Sequence, residues 1–128
     1  MSTVLNNLDV HAYAPGRNIT GEAFAPVVAK TFLGIAGDRT MAGSISVATA
    51  TAGGRVFGVA AFDAAAGQLV GVARNGVVRV ICGAAALAAG VDVQSDAAGK
   101  AVAVSSGKPA GYTIAAAAVG AEALVALF

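Results

Sequence analysis

The sequence predicts an all-β fold, a small sandwich or barrel-like domain of short strands joined by glycine-rich turns, with at most one or two short helical turns. Three observations carry this expectation. Short apolar runs recur at intervals of roughly 8 to 14 residues and are separated by glycine, the spacing of a β-sandwich or barrel. Residues 44–50 place Ile45 and Val47 opposite Ser44 and Ser46, and residues 100–104 alternate Ala with larger side chains, the period of two that a strand requires. The best local helix former, Gly83-Ala-Ala-Ala-Leu-Ala-Ala-Gly90, is shorter than the roughly 12 residues that a helix needs to stand alone.

The elements follow in chain order. Asn6-Asn7, Pro15-Gly16 and Pro26 punctuate short apolar pairs without a sustained period, which reads as an extended N-terminal arm with turns. Residues 1–16 are assigned to this arm and residues 17–128 to a single β-rich domain. Val27, Val28, Phe32, Leu33 and Ile35 suggest a first strand, interrupted by Ala29, Lys30 and Thr31. In residues 44–50, Ile45, Val47 and Thr49 fall on one face, and Ser44, Ser46 and Ala48 on the other.

Gly53-Gly54 makes a turn, residues 55–62 form a strand rich in β-formers, and Asp63-Ala-Ala-Ala-Gly67 closes it as a hairpin loop before residues 68–74. Asn75-Gly76 is the strongest turn signal, because both residues tolerate the positive φ of a type I′ hairpin. Val77, Val78, Val80 and Ile81 are therefore expected to form the returning strand. Residues 83–90, with glycine at both ends, should be a turn or a single helical turn. Val91-Asp92-Val93, the reversal at Ser95-Asp-Ala-Ala-Gly99 and residues 100–104 make a further hairpin. Residues 110–114 form a short strand, 115–119 one helical turn and 123–128 the last strand.

Composition bounds the function. The chain has 128 residues, of which 33 are Ala and 17 Gly, and roughly two thirds of its unfolded surface would be buried on folding. Charged residues are 12% of it, against about 25% in an average soluble domain, so much of its surface is expected to be covered by association. The formal charge is +1, with no basic stripe, which gives nucleic-acid binding no support. The longest charge-free stretch, residues 40–54, holds 15 residues, short of the roughly 18 of a membrane-spanning helix. Residues 1–10 have neither a basic nor an apolar signal region, so export of this chain is not expected.

Catalytic patterns are missing in the same way. Gly99-Lys100 has Gln94 where a phosphate-binding loop needs its first glycine, and Ala101 where it needs a hydroxyl. Gly53-Gly54-Arg-Val-Phe-Gly58 leads into a strand rather than the helix of a dinucleotide site. One His and one Cys cannot build a zinc centre. Cys82, in an apolar run, is expected to be a buried inert thiol. Asp92 and Asp96 flank a glycine turn, where Asp satisfies local backbone donors, and His11 has no nucleophile elbow to serve. Asn18-Ile19-Thr20 matches a glycosylation acceptor but has no export signal beside it. Arg74 and Arg79, on either side of Asn75-Gly76, could grip an acidic partner or simply be solvated. No catalytic residue, cofactor or metal ligand is assigned, and the chain is not expected to be an enzyme.

Residues 71–127 carry Gly71-Val-Ala-Arg-Asn-Gly76-Val-Val-Arg-Val80, Gly83, Ala89-Gly90-Val-Asp-Val93, Ser95-Asp-Ala-Ala-Gly99-Lys100-Ala101, Gly111-Tyr112 and Val119-Gly120-Ala-Glu122-Ala-Leu-Val125. On these motifs the segment resembles the capsid decoration, or cement, proteins of tailed bacteriophages. Gly16-Arg-Asn-Ile-Thr-Gly-Glu-Ala23 and residues 30–47 are similar to the front half of such proteins from phages of actinobacterial hosts. The likeness extends over residues 16–128.

The resemblance implies a compact β domain, commonly a homotrimer, made in the host cytoplasm and bound to the major capsid protein on the outside of the assembled shell near three-fold or local three-fold positions. It brings no catalytic residue, cofactor, nucleic acid or membrane partner. Another β-rich self-assembling protein, such as a head-fibre base, a tail component or a surface-layer module, is the alternative. Within the arm, Val4, Leu5, Leu8, Val10 and Tyr13 are the candidate anchors to the capsid or a neighbour, for instance by adding a strand to an exposed sheet edge.

Overall fold

A computed structural model describes residues 18–128. Among them are ten short strands and no helix: β1 (Asn18–Ala23), β2 (Phe32–Ile35), β3 (Ile45–Thr49), β4 (Gly58–Ala60), β5 (Leu69–Ala73), β6 (Val77–Ile81), β7 (Asp92–Ser95), β8 (Ala101–Ala103), β9 (Gly111–Thr113) and β10 (Glu122–Leu127). The all-β expectation holds, and the choice between sandwich and barrel falls towards the barrel. Strands β1 to β5 close into a barrel in the order β1-β3-β2-β4-β5. Strands β6 to β10 form a second sheet, ordered β6-β10-β9-β7-β8, whose edge strands are joined by a parallel bridge between Cys82 and Ala101.

The two halves share one topology. β1 runs parallel to β3, and Cys82 at the end of β6 bridges β8 in the same parallel sense. The remaining contacts are antiparallel and correspond one to one: β1 with β5 and β6 with β10, β2 with β3 and β7 with β8, β2 with β4 and β7 with β9, β4 with β5 and β9 with β10. The isolated bridge between Val27 and Ala64 has its counterpart in Leu87 with Ala117. All four of these residues are buried.

Small residues set the shape at matching places. A Cβ on Gly58 would stand 2.5 Å from Val72 and 2.6 Å from the Ala73 carbonyl oxygen, and a Cβ on Gly111 would stand 2.9 Å from Val125. Only glycine lets β4 and β9 approach β5 and β10 so closely. Gly67 and Gly120 turn into β5 and β10 with φ of 83° and 77°, a left-handed conformation that glycine adopts without penalty.

Each half has a core. Leu33, Val47, Val70 and Val72 fill the barrel with Ala23, Val27, Ala60 and Ala64. Val80, Cys82, Leu87, Val93, Ala123 and Val125 fill the second half, and Phe32, Ala50 and Val59 of the barrel belong to that same cluster. Backbone hydrogen bonds reinforce the junction: Phe32 N–H to Gly99 O at 2.7 Å, Ile81 N–H to Lys30 O at 2.9 Å, and Gly53 N–H to Ser95 O at 2.8 Å.

Several local expectations need correction. Asn75-Gly76 turns the chain, with φ of 85° at Gly76, but β5 and β6 do not pair with each other. Asn75 keeps a negative φ, since Lys30 is the one non-glycine with positive φ among the described residues, so no type I′ turn forms. Residues 27–31 are not strand: Val27 makes a single bridge, and Lys30 at φ 62° breaks the chain direction before β2. Residues 115–119 are bend, bridge and turn rather than a helical turn, whereas residues 83–90 take the turn form of their two expected alternatives. Asp92–Ser95 and Ala101–Ala103 do form the expected hairpin.

Candidate functional site

An open cleft of about 800 Å³ lies where the ends of the two halves meet. It is lined by the β2–β3 hairpin at Gly34, Ile35 and Ala48, the approach to β4 at Arg55, Val56 and Phe57, and the approach to β9 at Lys108, Pro109 and Ala110, together with Phe24, Arg74 and Phe128. Arg55 stands three residues before Gly58, and Lys108 three residues before Gly111. The two cations therefore occupy the same place in the two halves.

Glycine brings them together. A Cβ on Gly53 would stand 2.9 Å from the Cα of Gly107, and the Lys108 N–H donates to Gly53 O at 3.0 Å. Gln94, buried in β7, holds the opposite loop: its Oε1 accepts the N–H groups of Ser105 at 3.1 Å and Gly107 at 2.9 Å. Two loops that carry one cation each are thus fixed backbone to backbone.

Electrostatically the cleft has one sign. Among the described residues three cations line it and no Asp or Glu side chain does. Arg74 is fixed, donating from Nη1 to Phe57 O at 2.8 Å with its guanidinium 4.3 Å from the centre of the Phe57 ring, a cation–π arrangement. Arg55 and Lys108 are exposed and have no ion-pair partner among the described residues. Around them Phe24 is 71% exposed, Phe128 70% and Ile35 57%. Exposed aromatic and aliphatic side chains beside unpaired cations are the composition of a protein-binding surface.

The residues singled out in the sequence are distributed differently. Arg74 lies in the cleft, whereas Arg79 on β6 faces Glu122 at 3.5 Å, so the two do not form one grip. Asp96 Oδ1 accepts the N–H groups of Ala98 and Lys100 at 2.8 and 2.9 Å, the local turn role expected of it. Asp92 is exposed at the start of β7. Cys82 is buried, and its Sγ lies 3.2 Å from Ala85 O. Among the described residues no group of three or more His, Cys, Asp or Glu could hold a metal, and no helix is long and apolar enough to cross a membrane. His11 and the arm anchors Val4, Leu5, Leu8, Val10 and Tyr13 lie outside the described residues.

Arg55, Lys108, Phe24, Ile35 and Phe128 were not legible as a site in the sequence. A signal existed: Gly54-Arg-Val-Phe-Gly58 and Gly107-Lys-Pro-Ala-Gly111 both place a cation after one glycine and three residues before the next.

Comparison with known proteins fits this architecture. A family described as phage cement protein matches residues 7–127. The fold is similar to that of the N base of the head fibre protein gp8.5 of bacteriophage phi29, with a TM-score of 0.72 and 21% identity, over 87% of this chain and 92% of that one. No curated protein matches in sequence.

Proposed function

Because the chain belongs to the phage cement protein family, a family of capsid-associated structural proteins, we propose that it binds the outer surface of the assembled head, as a homotrimer at three-fold or local three-fold positions, and stabilises the shell. The family match over residues 7–127 carries this reading. The low charge of the chain, 12% of residues, and the exposed apolar side chains of the cleft support it, since both call for a covering partner.

The mechanism is linkage. A protein that binds only where capsid subunits are joined stabilises the joined state by mass action. Three linked copies raise the effective concentration of each contact, so each can be weak alone. In this reading the arm, through Val4, Leu5, Leu8, Val10 and Tyr13, contacts the capsid or a neighbouring copy. The likeness of residues 16–47 to proteins from phages of actinobacterial hosts points to such a host, in whose cytoplasm the protein would be made.

Undecorated shells mixed with purified protein test the proposal. Saturable co-sedimentation at a fixed number of trimers per shell, with higher resistance of the shell to heat, is the expected result. Deleting residues 2–14 should weaken binding and leave the melting curve of the free protein unchanged. A monomer in light scattering at micromolar concentration would count against the trimer.

The fold likeness to the phi29 head fibre base favours a second reading, in which the chain is the base on which a head fibre stands. Saturation at sparse sites, rather than at every local three-fold, would select it.

A further inference from the structure

We infer that the cleft between the two halves is a docking site for an acidic protein segment with apolar side chains, gripped by Arg55 and Lys108 and supplied by the capsid shell. The shell as its source rests on the proposed function; the chemistry of the site does not.

Charge complementarity is the first ground. Among the described residues the cleft gathers three cations without an Asp or Glu side chain, although the chain as a whole is nearly neutral at +1. Outside the cleft, Glu122 is shared by Lys30 and Arg79. In the cleft, Arg55 and Lys108 have no carboxylate among the described residues. The contact between Gly53 and Gly107 holds these unpaired cations, one from each half, around one space. Two carboxylates on one extended segment would meet both.

The walls exclude other occupants. Phe24, Ile35 and Phe128 offer large apolar surfaces, which an alternating acidic and apolar segment would cover and a phosphate backbone would not. Nucleic acid is tracked by basic stripes with many phosphate contacts, and three cations are too few. A small-ligand site buries most of its ligand's surface, whereas this cleft is open to solvent and suits a longer segment. Arg74, held by Phe57, adds a preorganised guanidinium to the lining, so little freedom is lost when it meets a carboxylate.

The probe is a fluorescent ten-residue peptide of alternating Leu and Glu, followed by anisotropy, with the Leu and Lys peptide and a ten-residue oligothymidylate as competitors. Arg55→Gln/Lys108→Gln is compared with Arg79→Gln/Lys100→Gln, which removes the same charge outside the cleft. All four side chains reach solvent, so the melting curve of the cleft variant should match wild type, and that of the Arg79/Lys100 variant should fall by no more than the small margin of an exposed ion pair. The acidic peptide should bind wild type and the Arg79/Lys100 variant alike, and the cleft variant at least about tenfold more weakly, a change of about 1.4 kcal/mol, with a flatter salt dependence.

Equal loss in both variants, no loss in the cleft variant, absence of acidic-peptide binding, or displacement by oligothymidylate in preference to peptide would overturn the inference. The same variants are then added to undecorated shells. Loss of decoration by the cleft variant alone identifies the shell as the source of the segment. If the peptide distinguishes the variants but wild type does not bind shells, the shell reading fails and the acidic-segment chemistry of the cleft stands.

Discussion

Gly53 and Gly107 touch backbone to backbone across the junction of the two halves: a Cβ on Gly107 would lie 2.9 Å from the Gly53 carbonyl oxygen, and one on Gly53 would lie 2.9 Å from the Gly107 Cα. Neither neighbour is the flexible end of a side chain, so relief requires the loops to part. Gly107→Ala should therefore destabilise the protein by about 1–3 kcal/mol, the usual range for overpacking. Gly37, with open space around its would-be Cβ, is the control, and Gly37→Ala should stay within about 0.5 kcal/mol of wild type. Urea titration of the three proteins measures both; equal midpoints for Gly107→Ala and wild type would refute the contact.

Lys30 occupies a position that its own repeat partner fills with glycine. It lies three residues after Val27 with φ 62°, as Gly90 lies three residues after Leu87 with φ 75°. A left-handed conformation costs a side-chain-bearing residue about 1–2 kcal/mol, and an exposed ion pair offsets little of that. The Lys30 carbonyl, which accepts from Ile81 N–H, survives any side-chain change. Lys30→Gly is expected to leave stability unchanged or raise it by up to about 1 kcal/mol, despite the loss of the bridge to Glu122. A clear drop in the thermal midpoint would show that the bridge outweighs the backbone.

The hairpin at residues 95–99 was legible because its turn, its alternation and its pairing are all local: Ser95 faces Ala101, and Asp96 caps the turn between them. Asn75-Gly76 carries a still stronger turn signal and does turn the chain, but it misled about pairing, since barrel closure decides the partners there. β5 is claimed on one side by β1 and on the other by β4, which leaves β6 to pair with β10. The repeat stayed hidden for a related reason. What the halves share is the placement of glycine and alanine, as in Gly58 with Gly111 or Ala64 with Ala117, and such residues carry little identity in a chain with 33 Ala and 17 Gly. The cleft was illegible as a whole because Phe24, Arg55, Lys108 and Phe128 are distant in sequence and meet only when the ends of the two halves are apposed.

Glu122 links the halves electrostatically. Lys30 of the barrel and Arg79 of β6 both reach its carboxylate, and the hydrogen bond from Lys30, helped by the attraction of both cations and opposed by desolvation, holds its pKa below the ordinary 4.5. A carboxyl whose folded pKa lies below its unfolded value adds stability above the unfolded value and loses it as the pH falls through the folded one. Wild type should therefore exceed Glu122→Gln in thermal midpoint at pH 7, by a small margin because the pair is exposed, and the margin should close below pH 4.5. A margin that stays constant from pH 7 to pH 3 would remove Glu122 from the account.

Phe32 makes the two halves one cooperative unit. It is fully buried, belongs to β2 of the barrel, and yet packs in the cluster of Val80, Val93 and Val125, while its N–H donates to Gly99 of the second half. Leu33, the next residue, is equally buried but points into the barrel core. The pair separates coupling from simple burial. Phe32→Ala should cost about 3–5 kcal/mol and Leu33→Ala about 2–5 kcal/mol, but only the first removes side-chain volume shared between halves. Native-state amide exchange reads the difference, because units that open together show the same free energy for their best-protected amides. In wild type, Val72 and Val125 amides should report one value. Leu33→Ala should lower both together, and Phe32→Ala should make them diverge. Divergence already in wild type would mean that the halves unfold independently and that the shared core does not bind them.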